Sequence, residues 1–556
     1  MAVFALSNNV AECGLGAPLL GNMQDRPLLI SSLLTYAATY HPEREIVGRT
    51  CEGNIFRYTY RDAAARAAKA ANALLRLGVK TGDRVATLAW NTYRHFEIFY
   101  AVSGIGAVLH TVNPRLFEEQ ISYIINHGGA RVVFVDADFL PLLKKLLPSL
   151  PEIETIVCFG LAEDGDIPSG VTLYETLIED ESSIIDWPEF DERYASGLCY
   201  TSGTTGDPKG VLYSHRSTVL HALAATQKSA MGIGCEDTVI AIAPFYHACA
   251  WGMPYITALT GAKLVMPGPR HDPENIVGLI NDEKVSFACG VPTVWTMMLE
   301  HLREKGMRLD SLEKTTIGGS AVSQGMIDAL ASYDVRVLHL WGMTEMSPLG
   351  TVATDTPETL TLSEDERRGQ LAKQGRAQFG IDLKIVDEQG ATLPHDGIGS
   401  GALWVRGPTI ANAYFRREEE PLLDADGWFP TGDIATIDPL GFMQITDRSK
   451  DIIKSGGEWI SSIDLENIAS GHPDVLLAAV IGVPHPKWEE RPFMIVECAA
   501  GANLAAEKLL EWLQPRVAKW TLPDTVVMIE KMPLTATGKI LKSELRKWHQ
   551  AGKFSA

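Results

Sequence analysis

Between residues 55 and 340 the chain alternates short apolar runs with stretches whose apolar residues recur at helical spacing. Arg84-Val-Ala-Thr-Leu-Ala predicts a strand, and Tyr93–Ser103 predicts a helix with Phe96, Phe99 and Tyr100 on one face. Ala107–Val112 reads as a strand, Phe117–His127 as a helix and Arg131–Val135 as another strand. The pattern returns in the strand Ala262–Met266, the helix Pro273–Glu283 and the strand Val335–Leu340. Such alternation predicts an α/β protein with layered, mostly parallel sheets. From about 376 to 446 the pattern changes to short β-like pieces, Leu383–Val386 and Ala402–Arg406, between Gly, Pro and Asp turns. That predicts a smaller β-rich subdomain. A charged run, Asp447–Asp451, separates two apolar strands, and a compact α+β unit follows. The expected organisation is an N-terminal extension over 1–25, a large domain over 26–447, a hinge over 448–452 and a small mobile α+β domain over 453–556.

Composition supports this division. A chain of 556 residues holds several domains of roughly 100–200 residues each. Its 46% hydrophobic and 21% charged residues are those of a globular protein. The net charge of -20 leaves no basic footprint for nucleic acid. Residues 450–556 carry 13 Lys/Arg and 13 Asp/Glu, so the acidic excess lies before them. The eight cysteines form no CxxC pair, which argues for reduced thiols in a cytoplasmic protein. The N-terminus lacks the basic start of a secretory signal, and Phe554-Ser-Ala is not a peroxisomal address. Thr238–Ala262 is uncharged and long enough to span a bilayer. Pro244, Gly252 and Pro254 interrupt it, so it is expected to form a buried strand, turn and helix, with no membrane span.

The chemistry is concentrated in Tyr200-Thr-Ser-Gly-Thr-Thr-Gly-Asp-Pro-Lys-Gly210. Hydroxyls, backbone N–H groups and one ammonium suit a polyphosphate. The run is not a Walker A loop, because only two residues separate Gly203 from Gly206 and Pro208 precedes Lys209. A generic Gly/Ser/Thr stretch is more often a turn. Here the strand-like flanks Leu198–Tyr200 and Val211–Tyr213 favour a phosphate site.

Thr201–Gly210 resembles the phosphate loop of the adenylate-forming superfamily, which includes acyl-CoA synthetases, luciferases and peptide-synthetase adenylation domains. Further motifs of that superfamily occur in order, so that the resemblance covers residues 30–550. It implies that Thr201, Ser202, Gly203, Thr204, Thr205, Gly206 and Lys209 hold ATP phosphates. In Trp341-Gly-Met-Thr-Glu345 it assigns adenine stacking to Trp341, where relatives usually carry Tyr, a phosphate contact to Thr344 and Mg²⁺ to Glu345. Read alone, that segment is only a helix start. Gly318, Gly319 and Ser320 would lie along adenine and the acyl group. Asp433 and Arg448 would hold the ribose. Lys450 would be the pivot, and Lys454, Gly456, Gly457, Glu458 and Trp459 would line the pantetheine path of CoA. A lysine near a chain end is ordinarily a solvated charge. In Pro533-Leu-Thr-Ala-Thr-Gly-Lys539 the resemblance makes Lys539 the catalytic lysine, with Thr344 and Glu345 beside it.

The implied reaction joins a carboxylate to ATP, releases pyrophosphate and passes the acyl group from AMP to a thiol. A carboxylic acid of pKa near ~4–5 needs no general base at neutral pH. The difficulty is the approach of an anion to a polyanion, so catalysis should come from positioning and charge. No Cys/His pair suggests a protein nucleophile and no carrier domain follows, so CoA is the expected acceptor. His247 and Trp251 match the superfamily's acyl-pocket region. With Val291, Pro292, Gly318, Trp341, Gly342 and Met343 they would form an apolar wall, although either could be an ordinary core side chain. The aromatics favour a short or medium chain, and the uncharged wall disfavours dicarboxylic acids. Within the superfamily the motifs are similar to medium-chain fatty-acid ligases. Among those they look most like the 3-methylmercaptopropionate-CoA ligases of dimethylsulfoniopropionate breakdown. The alternatives are a general short- or medium-chain ligase, or a luciferase-like or adenylate-binding protein without CoA ligation. The resemblance also implies a homodimer.

Overall fold

The computed structural model describes residues 21–160, 168–201, 207–456, 458–502, 504–535 and 538–554. Two large sheets dominate them. The seven-stranded sheet runs, edge to edge, through Val171–Leu173, Thr155–Cys158, Ala130–Val135, Arg84–Leu88, Val108–Thr111, Ala195–Tyr200 and Gly210–Ser214. Its pairings are parallel except the last, where Ala195–Tyr200 and Gly210–Ser214 are antiparallel around the phosphate-loop segment. In the nine-stranded sheet, Thr238–Ala241, Lys263–Met266, Phe287–Gly290, Lys314–Ile317 and Arg336–Gly342 form the parallel centre. Leu349–Val352 and Arg376–Ala377 complete one antiparallel edge.

The strands and helices predicted over 84–135 and 262–340 are present, with ends displaced by a residue or two. Thr238–Ala262 is the expected strand, turn and helix: Thr238–Ala241, Ala248–Trp251 and Met253–Thr260. No helix among the described residues is long and apolar enough to cross a membrane. One local expectation differs. Trp341 and Gly342 still belong to the strand Arg336–Gly342, and Thr344–Met346 is a single 3₁₀ turn. The strand persists because Gly342 faces the Pro348 carbonyl, where a Cβ would collide.

The helices Ile30–Tyr40, Tyr60–Arg76 and Tyr93–Gly104 share one core with residues of both sheets. Tyr60–Arg76 is alanine-rich and opens with a Thr59–Asp62 capping box, which favours helix and permits close packing. Phe96, Phe99 and Tyr100 of the next helix are fully buried, each contributing about 1.5–3 kcal/mol of transfer free energy. That helix also carries a carboxylate into the core. Glu97 accepts from Arg66 Nε at 2.8 Å and from Tyr174 OH at 2.6 Å, with no exposed surface.

Two smaller units complete the chain. Asp382–Val386, Gly401–Arg406, Phe429–Ile437 and Met443–Arg448 form a four-stranded antiparallel sheet. Beyond it a separate C-terminal α+β domain wraps the helices Ser462–Ala469, Ala506–Leu513 and Lys542–Gln550 around the paired strands Val475–His485 and Glu489–Cys498. Truncation of Glu97 offers a test of the large domain's core. Glu97→Ala removes one carboxylate from Arg66, which keeps Glu175, and leaves the buried Tyr174 hydroxyl without its acceptor, at an expected cost of about 1–3 kcal/mol. Calorimetry should record a lower midpoint for the large domain, with a smaller loss for Glu97→Gln.

Candidate active site

The carboxyl ends of the central parallel strands open onto one cleft, the usual ligand side of such a sheet. Lys314–Ile317 delivers Gly318 and Gly319 there, and Arg336–Gly342 delivers Trp341 and Met343. Gly318 is buried, and a Cβ on it would stand 2.8 Å from the Leu340 carbonyl oxygen. Gly319 has φ +84°, a conformation that side chains rarely adopt, and a Cβ there would meet Lys539 Cε at 3.3 Å. Ser320 follows them at the surface.

Asp433 and Arg448 are opposed residues of an antiparallel pair, which explains their meeting across fourteen intervening positions. Arg448 Nε lies 2.7 Å from Asp433 Oδ1, and Trp341 Nε1 donates to Oδ2 at 2.9 Å. Burial pushes the Asp433 carboxyl up, while Arg448 and the indole N–H hold it down. Trp341 is thereby anchored by its ring nitrogen and packed into the core of the four-stranded sheet. Glu345 is also buried, and its Oε1 accepts from Tyr414 OH at 2.8 Å. Thr344 presents its carbonyl to Tyr213 OH at 2.7 Å. The phosphate-loop segment begins beside this pair. Thr201 N donates to Lys209 O at 2.9 Å, closing its neck, and Lys209 Nζ stands 4.8 Å from the Tyr414 ring centre. Ser202, Gly203, Thr204, Thr205 and Gly206 lie outside the described residues.

Lys539 reaches the same cleft from the C-terminal domain. Its loop is closed by Lys539 N on Thr535 Oγ1 at 3.0 Å, and Gly538 sits against Thr293 and Val291 at the start of the helix Pro292–Lys305. Burial lowers the ammonium pKa to about 8, with Arg448 adding to the fall and Asp433 and Glu345 opposing it. His247 is held at about 3, chiefly by burial and then by the Lys539 charge. It is therefore neutral at physiological pH.

The apolar wall has an unusual backbone. Ala248, Cys249, Ala250 and Trp251 all have positive φ, between 45° and 56°. Each left-handed non-glycine residue costs roughly 1–2 kcal/mol. The turn is held by Ala250 N on Pro244 O at 3.1 Å, and His221 Nε2 donates to Trp251 O at 3.1 Å. Burial holds His221 neutral, with a pKa of about 4. Neither His221 nor Tyr414 was found by the sequence reasoning. His221 lies in a helix with no motif, and Tyr414 in a turn-rich segment whose partners are distant in sequence.

The residues assigned to CoA lie elsewhere in this arrangement. Ile453–Ser455 and Glu458–Ile460 form a hairpin around Gly456, at φ +63°, with Gly457 outside the described residues. Lys454, Glu458 and Trp459 are exposed, and the hairpin bonds to Trp488 and Glu490 of its own domain. Lys450 is exposed in the connecting turn. On its large-domain side, Asp447 accepts from Ser462 N at 2.6 Å and from Ser462 Oγ at 3.0 Å.

Among the described residues no group of three His, Cys, Asp or Glu side chains could cage a metal. A single buried carboxylate, Glu345, fits Mg²⁺ that arrives on phosphates, since that ion keeps few protein ligands.

Residues 34–415 match the AMP-binding enzyme family and 464–539 match the AMP-binding enzyme C-terminal domain. The 3-methylmercaptopropionyl-CoA ligase of Ruegeria lacuscaerulensis is 49% identical over 95% of this chain and 98% of its own length. The medium-chain-fatty-acid–CoA ligase of Ectopseudomonas oleovorans is 45% identical over 95% of this chain and 97% of its own. The crystal structure of the anthranilate CoA ligase AuaEII with anthranoyl-AMP superposes with TM-score 0.85 at 25% identity, covering 96% of this chain and all of that one. The chain belongs to the AMP-binding enzyme family. Within it the protein is an AMP-forming acyl-CoA synthetase.

The Lys539 environment makes a direct prediction. Competitive labelling with acetic anhydride, read by mass spectrometry, should give this amine a pKa near 8. Its reactivity should level off above that pH, whereas exposed lysines continue to gain reactivity toward the ordinary range near ~10.4.

Proposed function

We propose that this enzyme converts 3-methylmercaptopropionate to its CoA thioester through an acyl-adenylate, releasing pyrophosphate and AMP. The choice of acid rests on the 49% identity to the Ruegeria 3-methylmercaptopropionyl-CoA ligase, and the adenylating step on Lys539, presented by the C-terminal domain beside Gly319 and in the field of Asp433 and Glu345. In this reading Asp433 accepts the ribose hydroxyls, with Trp341 and Arg448 fixing its oxygens. Trp341 stands at the adenine, and Gly318, Gly319, Gly342 and Met343 leave room for nucleotide and acyl chain. The loop Thr201–Gly206 and Lys209 hold the β- and γ-phosphates, with Thr344 also facing phosphate.

The substrate carboxylate meets the α-phosphate as an anion. The Lys539 ammonium neutralises both at the moment of attack, and its position close to the reacting groups replaces solvent ordering. Glu345 would help hold Mg²⁺, which when bound would supply further neutralisation of the polyphosphate. His247 is neutral and Trp251 is apolar, so they shape the acyl pocket without adding charge. A small thioether would suit the apolar wall that Trp251, Trp341 and Met343 are proposed to form. Thioester formation then needs the hairpin around Gly456 at the cleft. We assign that to a rotation of the C-terminal domain about Lys450, which withdraws Lys539. The 45% identity to a medium-chain-fatty-acid–CoA ligase supports a second reading, a broader medium-chain preference. The Mg²⁺ requirement and the homodimer are carried by the family resemblance, and the cytoplasmic location by the unpaired cysteines.

Two experiments test this. Lys539→Ala should reduce acyl-adenylate formation by about a hundredfold or more while leaving thioester formation from supplied acyl-adenylate within a few-fold. Equal loss in both half-reactions would sink the assignment. In a panel from acetate to decanoate, 3-methylmercaptopropionate should have the highest kcat/KM. An advantage of about tenfold for octanoate or longer acids, roughly 1.4 kcal/mol, would favour the medium-chain reading instead.

A further inference from the structure

The segment Ala411–Phe415 belongs to none of the assigned motifs, yet it ties two of them together. Ala411 N donates to the Glu345 carbonyl at 2.8 Å, and Phe415 N donates to the Gly210 carbonyl at 2.9 Å. Between these anchors Tyr414 turns inward. Its hydroxyl donates to Glu345 Oε1 at 2.8 Å, and Lys209 Nζ stands 4.8 Å from its ring centre. One half-buried side chain thus touches both the carboxylate and the ammonium expected to meet the polyphosphate. Among the described residues no other hydrogen bond reaches the Glu345 carboxylate.

The two contacts have different chemistry. A phenol donating to a carboxylate fixes its rotation and occupies one oxygen, leaving the other without a protein donor among the described residues. A ring face beneath an ammonium is a weaker, less directional attraction that keeps Lys209 extended. Without the phenol, a buried glutamate would search several rotamers before meeting a cation. Without the ring, the lysine would lose the surface on which it lies.

We infer that Tyr414 is a positioning residue for MgATP. Its hydroxyl aims the Glu345 carboxylate at the metal and its ring sets Lys209 against the β- and γ-phosphates. The inference rests on the reading of Glu345 and Lys209 given above, and it adds a third residue through which the two sites are coupled.

The two contacts can be separated by substitution. ATP binding to the full-length enzyme is measured by calorimetry across a Mg²⁺ titration, with carboxylate and CoA omitted. Tyr414→Phe, which loses only the hydroxyl, should need roughly five- to tenfold more Mg²⁺ for half-maximal ATP binding. Its affinity at saturating Mg²⁺ should stay near wild type. Tyr414→Leu, which loses the ring as well, should bind ATP several-fold more weakly even at saturating Mg²⁺. For Tyr414→Phe, thioester formation from supplied acyl-adenylate should be unchanged. Glu345→Gln serves as the reference. If it shifts the Mg²⁺ curve and Tyr414→Phe does not, the inference fails and the reading of Glu345 stands. If Glu345→Gln leaves the curve unmoved, the reading fails and takes the inference with it. A Tyr414→Phe protein with equal losses toward ATP, acid and CoA would show a merely structural role and overturn the inference.

Discussion

The Lys539 ammonium is held among protein atoms with the Arg448 guanidinium near it, and the carboxylates of Asp433 and Glu345 make that arrangement tolerable. The balance is deliberately incomplete. Burial and a like charge leave the lysine with a pKa of about 8, poised between its two states. In the proposed reaction an arriving polyanion would complete the balance, because a phosphate near the ammonium would restore the charged form. A cation poorly satisfied in the free enzyme and well satisfied by the reacting groups would turn binding energy into transition-state stabilisation.

The remainder of the architecture serves this meeting of charges. Parallel strands end together and deliver Gly318, Trp341 and Glu345 to one edge, while an antiparallel pair sets Arg448 against Asp433. Glycines occupy the positions where backbone must approach backbone, as at Gly342, or where Lys539 must enter, as at Gly319. The left-handed turn Ala248–Trp251 is costly by itself. It persists because core contacts and the His221 hydrogen bond overdetermine it. Strain, close approach and a displaced lysine pKa thus occur around a single cleft.

Much of this was legible in the sequence. The alternation of apolar runs and helical periods between 55 and 340 is a local property, and the strands and helices it predicted are there. Lys539, Asp433 and Glu345 stood out only because their short motifs resemble those of the adenylate-forming superfamily; read alone, each was a helix start, a turn or a solvated charge. Tyr414 and His221 did not, because each acts on a residue far away in sequence: Tyr414 on Glu345 and Lys209, His221 on the Trp251 carbonyl. No periodicity or turn chemistry marks such a partner. The persistence of the strand through Trp341 and Gly342 was also hidden, since it depends on the returning chain at Pro348.

By itself the sequence determined the layered α/β class, the change to a β-rich unit and then a separate C-terminal domain, and the chemical vocabulary of the site. The organisation follows from hydrophobic period and turn composition, and the vocabulary of the site from resemblance to the adenylate-forming superfamily. Only the tertiary structure decided which of those groups meet. It brought Lys539 across a domain boundary to Gly319, left the hairpin around Gly456 on its own domain, and placed one tyrosine between a carboxylate and a lysine. The reason is that burial and proximity, which set charge states and orientations here, are properties of contacts between distant segments and of no segment alone.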